Sequence, residues 1–189
     1  KVMLAQILLN EGNPVGARAR IEEVLTEDPS NVEALKMRAA WRIDEDKPGE
    51  AIIDLRTALS QAPRDAQVLT LMAQAHEREG ARDLAGERLA LAVEVSGNAP
   101  EESLRYARFL LRDGLREGRT HVAETVLTDA RRASPAHVGV LALLGEIHVA
   151  NRDDERAQAI IATLQEIGST EALEAAQRLD TARVLARGQ

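Results

Sequence analysis

The hydrophobic pattern of the chain is helical, and it repeats. Ala17, Ile21 and Val24 follow one another at i, i+4 and i+7, the spacing that places side chains on one face of a helix. The same stripe, a small residue followed by apolar residues four and seven positions later, begins again at Ala51, Ala85, Ala123 and Ala157. Successive stripes are separated by 34, 34, 38 and 34 residues. The pattern therefore predicts five similar units.

Turn-forming residues flank the stripes at fixed distances. In three units a glycine lies five residues before the small residue: Gly12, Gly80 and Gly118. In three units, not all of them the same, a proline lies twelve residues after the small residue: Pro29, Pro63 and Pro135. The glycine predicts the end of a first helix, and the proline the end of a second. One such pair of helices cannot bury its apolar face alone, so neighbouring pairs are expected to stack.

A period of 34 residues with these columns resembles the tetratricopeptide repeat, and the resemblance covers residues 1 to about 169. Leu144-Gly145 is similar to the Leu-Gly pair of that family, whereas leucine replaces its large aromatic residue early in the first helix. The resemblance implies an all-α fold, a right-handed α-solenoid of stacked antiparallel helix hairpins. We expect a single domain over residues 1–189, with repeats at about 1–30, 31–64, 65–99, 100–136 and 137–169 and a terminal helix over 170–187.

The terminal helix carries one further helical stripe. Its members are Ala172, Ala175, Ala176, Leu179, Ala182 and Ala186. This helix can cover the last repeat. Leu173, Val184 and Leu185 fall off the stripe, and two other interpretations stay open for them: a contact with a second copy, or cover by further repeats outside these residues. The first residue is Lys1 rather than Met, which favours a segment of a longer protein.

Composition agrees with helices and argues against several functions. Aromatic residues make up 2% of the chain, too few for a β-sandwich, whereas 32 alanines and 24 leucines favour helices. A net charge of −7 argues against binding to nucleic acid or to anionic membranes. The absence of cysteine excludes disulfides and thiol chemistry, and no apolar stretch is long enough to insert into a membrane. Cytoplasm and periplasm both stay open, and 21 arginines against 3 lysines suggest a bacterial origin.

Residue types of catalytic sites occur without the spacing that catalysis requires. The four histidines have no second ligand at zinc spacing, and no serine lies in a nucleophile elbow. Phosphate-binding and dinucleotide-binding glycine patterns are missing. His76 and His148 share one column of the repeat and are interpreted as packing residues. We therefore expect a non-enzymatic protein with no cofactor and no metal.

The resemblance also implies a binding surface, the concave groove lined by the first helices. If the small residue of each repeat is position 20, groove positions 2, 5, 9, 12 and 13 of repeat four are Arg105, Arg108, Arg112, Leu115 and Arg116. Tyr106 and Phe109 flank these arginines, and arginine with aromatic neighbours is common in binding hot spots. The predicted partner-binding residues are Arg105, Arg108, Phe109, Arg112, Arg116, Gln74 and Glu146.

Two questions about this surface stay open at the level of sequence. The four extra residues before Ala123 are expected around Ser96 to Pro100, which keeps the arginines in register. If they lie inside the first helix instead, Arg108 turns toward the core. The arginines can also be solvated or paired within the protein, for example Arg112 with Glu146, and exposed pairs of that kind contribute about 0–1 kcal/mol.

The sequence thus predicts an interaction scaffold that binds a protein or peptide segment, with acidic residues on that segment as the match to the arginines. Two alternatives stay open. The chain can be an assembly module that dimerises through its terminal helix, or the recruitment segment of a larger enzyme whose catalytic domain lies elsewhere.

Overall fold

The computed structural model describes residues 1–114 and 117–187, which form eleven helices and no strand. In chain order the helices are α1 (Val2–Asn10), α2 (Pro14–Glu27), α3 (Val32–Asp44), α4 (Pro48–Gln61), α5 (Ala66–Arg78), α6 (Arg82–Val95), α7 (Pro100–Leu111), α8 (Glu117–Ala133), α9 (Val138–Ala150), α10 (Asp154–Ile167) and α11 (Thr170–Arg187). Each odd-numbered helix up to α9 packs against the even-numbered helix that follows it. The predicted all-α fold of helix hairpins is confirmed.

Polar caps and prolines start the helices where the sequence predicts. The side chain of Asn31 accepts a hydrogen bond from the backbone N–H of Ala34 at the start of α3, and Asp65 does the same for Val68 at the start of α5. These bonds satisfy N–H groups that have no partner within the helix. Pro48 lies in the first turn of α4, where its missing N–H costs no hydrogen bond.

The structure divides into two compact units, Lys1–Ser96 and Gly97–Gln189. In the first unit Ala17 and Ala51 are fully buried, as is the bulky residue four positions after each. In the second unit Ala123 and Ala157 occupy the same column and are also fully buried. A residue no larger than alanine lets two helices approach closely, so the packing role predicted for this column is confirmed. The single domain over 1–189 stays a prediction.

The turn inside each hairpin uses the left-handed region of backbone conformation. Gly12 and Gly80 have φ of 75°, and Asp46 and Arg152 hold the same place in their hairpins with φ of 60° and 57°. Glycine is favoured there because it has no Cβ. In the fourth hairpin the left-handed residue is Gly114, with φ of 86°. Gly118, predicted for this role, lies inside α8 instead.

The four extra residues of repeat four therefore follow α7. The connection before α7 spans residues 96–99, the same length as the connections before α3, α5 and α9. Five residues separate Leu111, the last residue of α7, from Glu117, the first of α8, whereas three residues separate the two helices of the other hairpins, and α8 is 17 residues long against 14 for α10. The expectation that the insertion lies around Ser96 to Pro100 is wrong.

A buried carboxylate ties α3 to α4 in the first unit. Asp54 is 3% exposed and accepts hydrogen bonds from Nε and Nη2 of Arg38 at 3.0 and 2.8 Å and from Nη1 of Arg42 at 2.6 Å. Arg38 also pairs with Glu22 of α2 at 3.0 Å. Hydrogen bonds from guanidinium groups raise the stability of a buried carboxylate, and removing one partner leaves the other charges without compensation.

We expect Asp54→Asn to lower the free energy of unfolding by about 1.5–3 kcal/mol, since the neutral amide loses charged hydrogen bonds without a change in volume. Urea denaturation followed by circular dichroism measures this change. Asp129→Asn is the matched control, because among the described residues the ion pair of Asp129 is with Arg132 on the surface of α8, and its loss should cost about 0–1 kcal/mol. Equal losses in the two variants would contradict a special role for the buried network.

His148 is buried in the second unit, where α9 packs against α8. Burial lowers the pKa of its imidazole because the charged form loses hydration, and Glu124, 3.9 Å away, acts in the opposite direction without reversing the shift. In the unfolded chain this histidine titrates near its ordinary pKa of about 6.5. Below that pH the unfolded state therefore binds more protons than the folded state does, and the free energy of unfolding falls as the pH is lowered.

We expect His148→Gln to remove this part of the pH dependence. The stability gap between wild type and variant should shrink between about pH 7.5 and about pH 5.5, because only the wild type has a group that protonates on unfolding. Urea titrations at both pH values measure the gap, and the exposed His121→Gln on α8 is the control. A gap that stays constant across this range would contradict the pKa shift.

Candidate functional site

Helix α7 presents arginines on its exposed side. Pro100 and two glutamates form its first turn, where negative charge favours the positive end of the helix dipole. Leu104 and Ala107 face inward and are buried. Arg105 and Arg108 lie on the other side and are exposed.

The helix start at Pro100 moves the register of the predicted groove positions. Counted from the first residue of each helix, Arg108 is the ninth residue of α7, as Glu146 is of α9 and Arg178 of α11. Arg105 is the sixth residue of its helix, so its predicted place at groove position 2 is wrong. Arg108 is exposed, so the alternative that turned it toward the core is wrong.

The remaining two predicted arginines, Arg112 and Arg116, follow α7 in the sequence. Arg112 is the C-cap of α7, and its guanidinium lies 5.7 Å from the centroid of the Phe109 ring, which is the distance of a cation–π contact. No ion pair joins Arg112 to Glu146, two residues that the structure describes. Arg116 lies outside the described residues.

Arg105 and Arg108 have no partner within the described part of the chain. Neither forms an ion pair or a hydrogen bond there, although each carries a positive charge at neutral pH. The interpretation that these two arginines are paired internally therefore finds no support among residues 1–114 and 117–187. Solvation and binding of an anionic partner stay open for them.

The two aromatic residues of α7 belong more to the core than to the surface. Phe109 is the tenth residue of its helix, the position that Ile147 occupies in α9, and it is 8% exposed. Tyr106 is half-buried, and burial raises the pKa of its hydroxyl. Sequence reasoning placed both beside the arginines but did not foresee their burial.

A groove of about 420 Å³ lies between α9 and α11 of the second unit. Its lining consists of alanines and a few larger side chains: Ala142, Glu146, Val149, Ala150, Arg152, Ala175, Arg178, Leu179, Ala182 and Ala186. Three of these residues, Ala142, Glu146 and Val149, hold the groove positions that the repeat register assigns to repeat five. Arg152 and Arg178 are lining residues that sequence reasoning did not single out.

Close packing of α11 on α9 forms this groove. Gly145 of α9 has no side chain, and a Cβ there would lie 2.5 Å from Cδ1 of Leu179. Ala172, Ala175 and Ala176 of α11 are buried against the same core. Small residues on both helices thus bring the backbones together and leave a shallow alanine floor.

A smaller cavity of about 190 Å³ continues the groove and shares Val149, Arg152 and Ala186 with it. Arg183 donates hydrogen bonds to Asp154 at 3.0 Å and to Asp180 at 2.7 Å. These acceptors raise the pKa of the Arg183 guanidinium. The positive charge of Arg183 is therefore already compensated.

Gln74 belongs to the first unit, where it lies half-buried on α5. Nothing in that unit distinguishes it as a binding residue.

Among the described residues, no group of three or more histidine, aspartate or glutamate side chains is arranged to hold a metal ion. Within the same residues, no helix has both the length and the apolar character needed to cross a membrane.

Comparison with known proteins agrees with the repeat register. The model of the tetratricopeptide repeat family matches residues 114–179, and no curated protein sequence matches the chain. Among solved structures, PilF of Pseudomonas aeruginosa is 18% identical with a TM-score of 0.67, over 98% of this chain and 86% of that one. YrrB, a TPR protein with an unusual peptide-binding site, is 17% identical with a TM-score of 0.66, over 95% and 90%.

Yeast Tom70 is 18% identical with a TM-score of 0.76, and the match covers 98% of this chain but 40% of that one. Identities this low show the fold alone. The family match over residues 114–179 confirms the resemblance to the tetratricopeptide repeat family that the sequence predicts. Proteins of this family mediate protein–protein interactions.

Proposed function

We propose that this chain is a non-enzymatic scaffold whose second unit binds an acidic segment of a protein partner. The binding face consists of the odd-numbered helices α7, α9 and α11. Its charged residues are Arg105, Arg108, Arg112, Glu146 and Arg178. Arg116 belongs to the same proposal by sequence, and Gln74 of the first unit stays a separate prediction.

The observation that carries this proposal is the pair of exposed arginines on α7 without an internal partner in the described residues. An exposed arginine usually has little effect on stability, so stability alone does not explain two of them at i and i+3. The chain as a whole carries a net charge of −7, which makes this concentration of positive charge a local feature. Guanidinium groups bind carboxylates through two parallel hydrogen bonds, and an acidic segment supplies those carboxylates.

We expect the double variant Arg105→Glu, Arg108→Glu to lose its partner while its melting temperature changes little. Affinity capture from the source organism, quantified by mass spectrometry, measures partner loss, and thermal unfolding measures stability. Arg56→Glu with Arg64→Glu is the matched control, because both residues are exposed in the first unit and the charge change is identical. An unchanged capture profile in the α7 variant would contradict the proposal.

A second candidate function, self-assembly through α11, is favoured by one observation. Leu173, Val184 and Leu185 are 46%, 55% and 66% exposed on this helix, and exposed apolar patches mark interaction sites. If this function holds, light scattering should show a mass that increases with concentration, and Leu173→Glu with Leu185→Glu should restore the monomer. A monomer at every concentration would contradict it.

A further inference from the structure

Arg152 occupies a backbone position where arginine is unfavourable. It holds the left-handed turn between α9 and α10 with φ of 57°, the place that Gly12 and Gly80 hold in other hairpins. A residue with a Cβ is disfavoured in this conformation, and glycine would relieve the strain. Strained residues of this kind cluster at functional sites. The turn therefore gains nothing from this side chain.

The side chain of Arg152 lines both parts of the joined groove, the 420 Å³ section and the 190 Å³ section. It forms no ion pair within the described residues. The neighbouring carboxylates already have partners: Asp153 caps α10 and pairs with Arg156 at 3.4 Å, and Asp154 pairs with Arg183 and Arg187. Its guanidinium is thus available to a ligand.

Arg178 is the second unpaired cation of this groove. It lies on α11 and lines the larger section, and it forms no ion pair with any described residue. Four arginines and two carboxylates line the joined groove: Arg152, Arg178, Arg183, Arg187, Glu146 and Asp154. Since Arg183 and Arg187 already compensate Asp154, the positive charge open to a partner belongs to Arg152 and Arg178.

We propose that the groove between α9 and α11 is an anchor site for an aspartate or glutamate side chain of the partner segment. Arg152 and Arg178 bind that carboxylate, and an apolar side chain beside it packs on the alanine floor. This inference rests on the proposed function and names the place and the chemistry of one contact. Glu146, on the same groove, forms no ion pair with a described residue and would favour a basic residue elsewhere on the segment.

The alanine floor explains why the occupant is a peptide rather than a free acid. Ala142, Ala150, Ala182 and Ala186 leave room for a backbone or a helix to approach α9 and α11 closely. A small carboxylic acid would use the arginines and leave this apolar surface uncovered. An acidic residue next to leucine in one segment uses both.

The test is Arg152→Gly, which should raise the melting temperature by relieving strain and weaken peptide binding by removing the guanidinium. Glycine suits the left-handed turn, so the melting temperature should rise by about 2–4 °C. Loss of the guanidinium should weaken binding of an acidic peptide by about tenfold or more. Asp46→Gly is the matched control, since Asp46 holds the same turn in the first unit with φ of 60° and should give the first effect without the second.

The probe is a fluorescein-labelled amphipathic peptide that repeats Leu and Glu at helical spacing, compared with the same peptide carrying Gln in place of Glu. Fluorescence anisotropy gives both dissociation constants. We expect the Glu peptide to bind more tightly than the Gln peptide to the wild type, and Arg152→Gly to reduce that difference. Ala182→Trp should fill the groove and weaken both peptides, whereas Ala159→Trp, exposed on α10, should change neither.

Three results would overturn the inference: Arg152→Gly that leaves the Glu peptide unaffected, equal binding of the Glu and Gln peptides, or equal weakening by Asp46→Gly. A fourth result would also overturn it: if a second copy of the chain occupies the groove, peptide binding should fall as the protein concentration rises. Failure of this site is distinguishable from failure of the proposed function. If only this anchor site fails, the double variant Arg105→Glu, Arg108→Glu still loses its partner. If the proposed function fails, that double variant keeps its partner.

Discussion

Close approach of helices at the alanine column is the constraint on which the rest of this structure depends. Each hairpin is two helices with one apolar face, and only stacking against a neighbour removes that face from water. Ala17, Ala51, Ala85, Ala123 and Ala157 are all fully buried. A larger residue in this column would force the helices apart or produce strain. Because this contact repeats, the odd-numbered helices α7, α9 and α11 of the second unit pack in sequence, and the groove lies between α9 and α11.

Local rules of the chain were sufficient to predict the fold class. Periodic apolar residues, cap residues such as Asn31 and turn glycines such as Gly80 each determine structure within a few positions, so one sequence contains the information. The register of repeat four was not predictable in the same way. Gly114 and Gly118 both suit a turn, and only packing of α7 selects between them, since Leu104 and Ala107 are buried when the helix begins at Pro100.

The candidate site was predicted in part. Arg105, Arg108 and Glu146 are exposed as a binding face requires. Phe109 is buried because the tenth position of α7 faces the core. Its place at that position is known only once the register of repeat four is corrected. Arg152 and Arg178 escaped sequence reasoning, since one lies in a turn and the other in a helix treated as a cap. The sequence contained one signal for Arg152: it lies at the turn position where three of the five hairpins carry glycine. Asp46 is the other residue at this position that is not glycine.

The connection from α7 to α8 shows where this architecture tolerates a change in length. Four additional residues enter between Gly114 and Ala123, and the alanine column then resumes with its burial intact. Lengthening a surface connection costs little free energy, about 0.6 kcal/mol for each doubling. Length variation is thus confined to one end of a hairpin, and neighbouring hairpins of the same unit keep their contacts. A spectroscopic label or short epitope introduced into this connection should therefore report on the second unit without disturbing either its core or its groove.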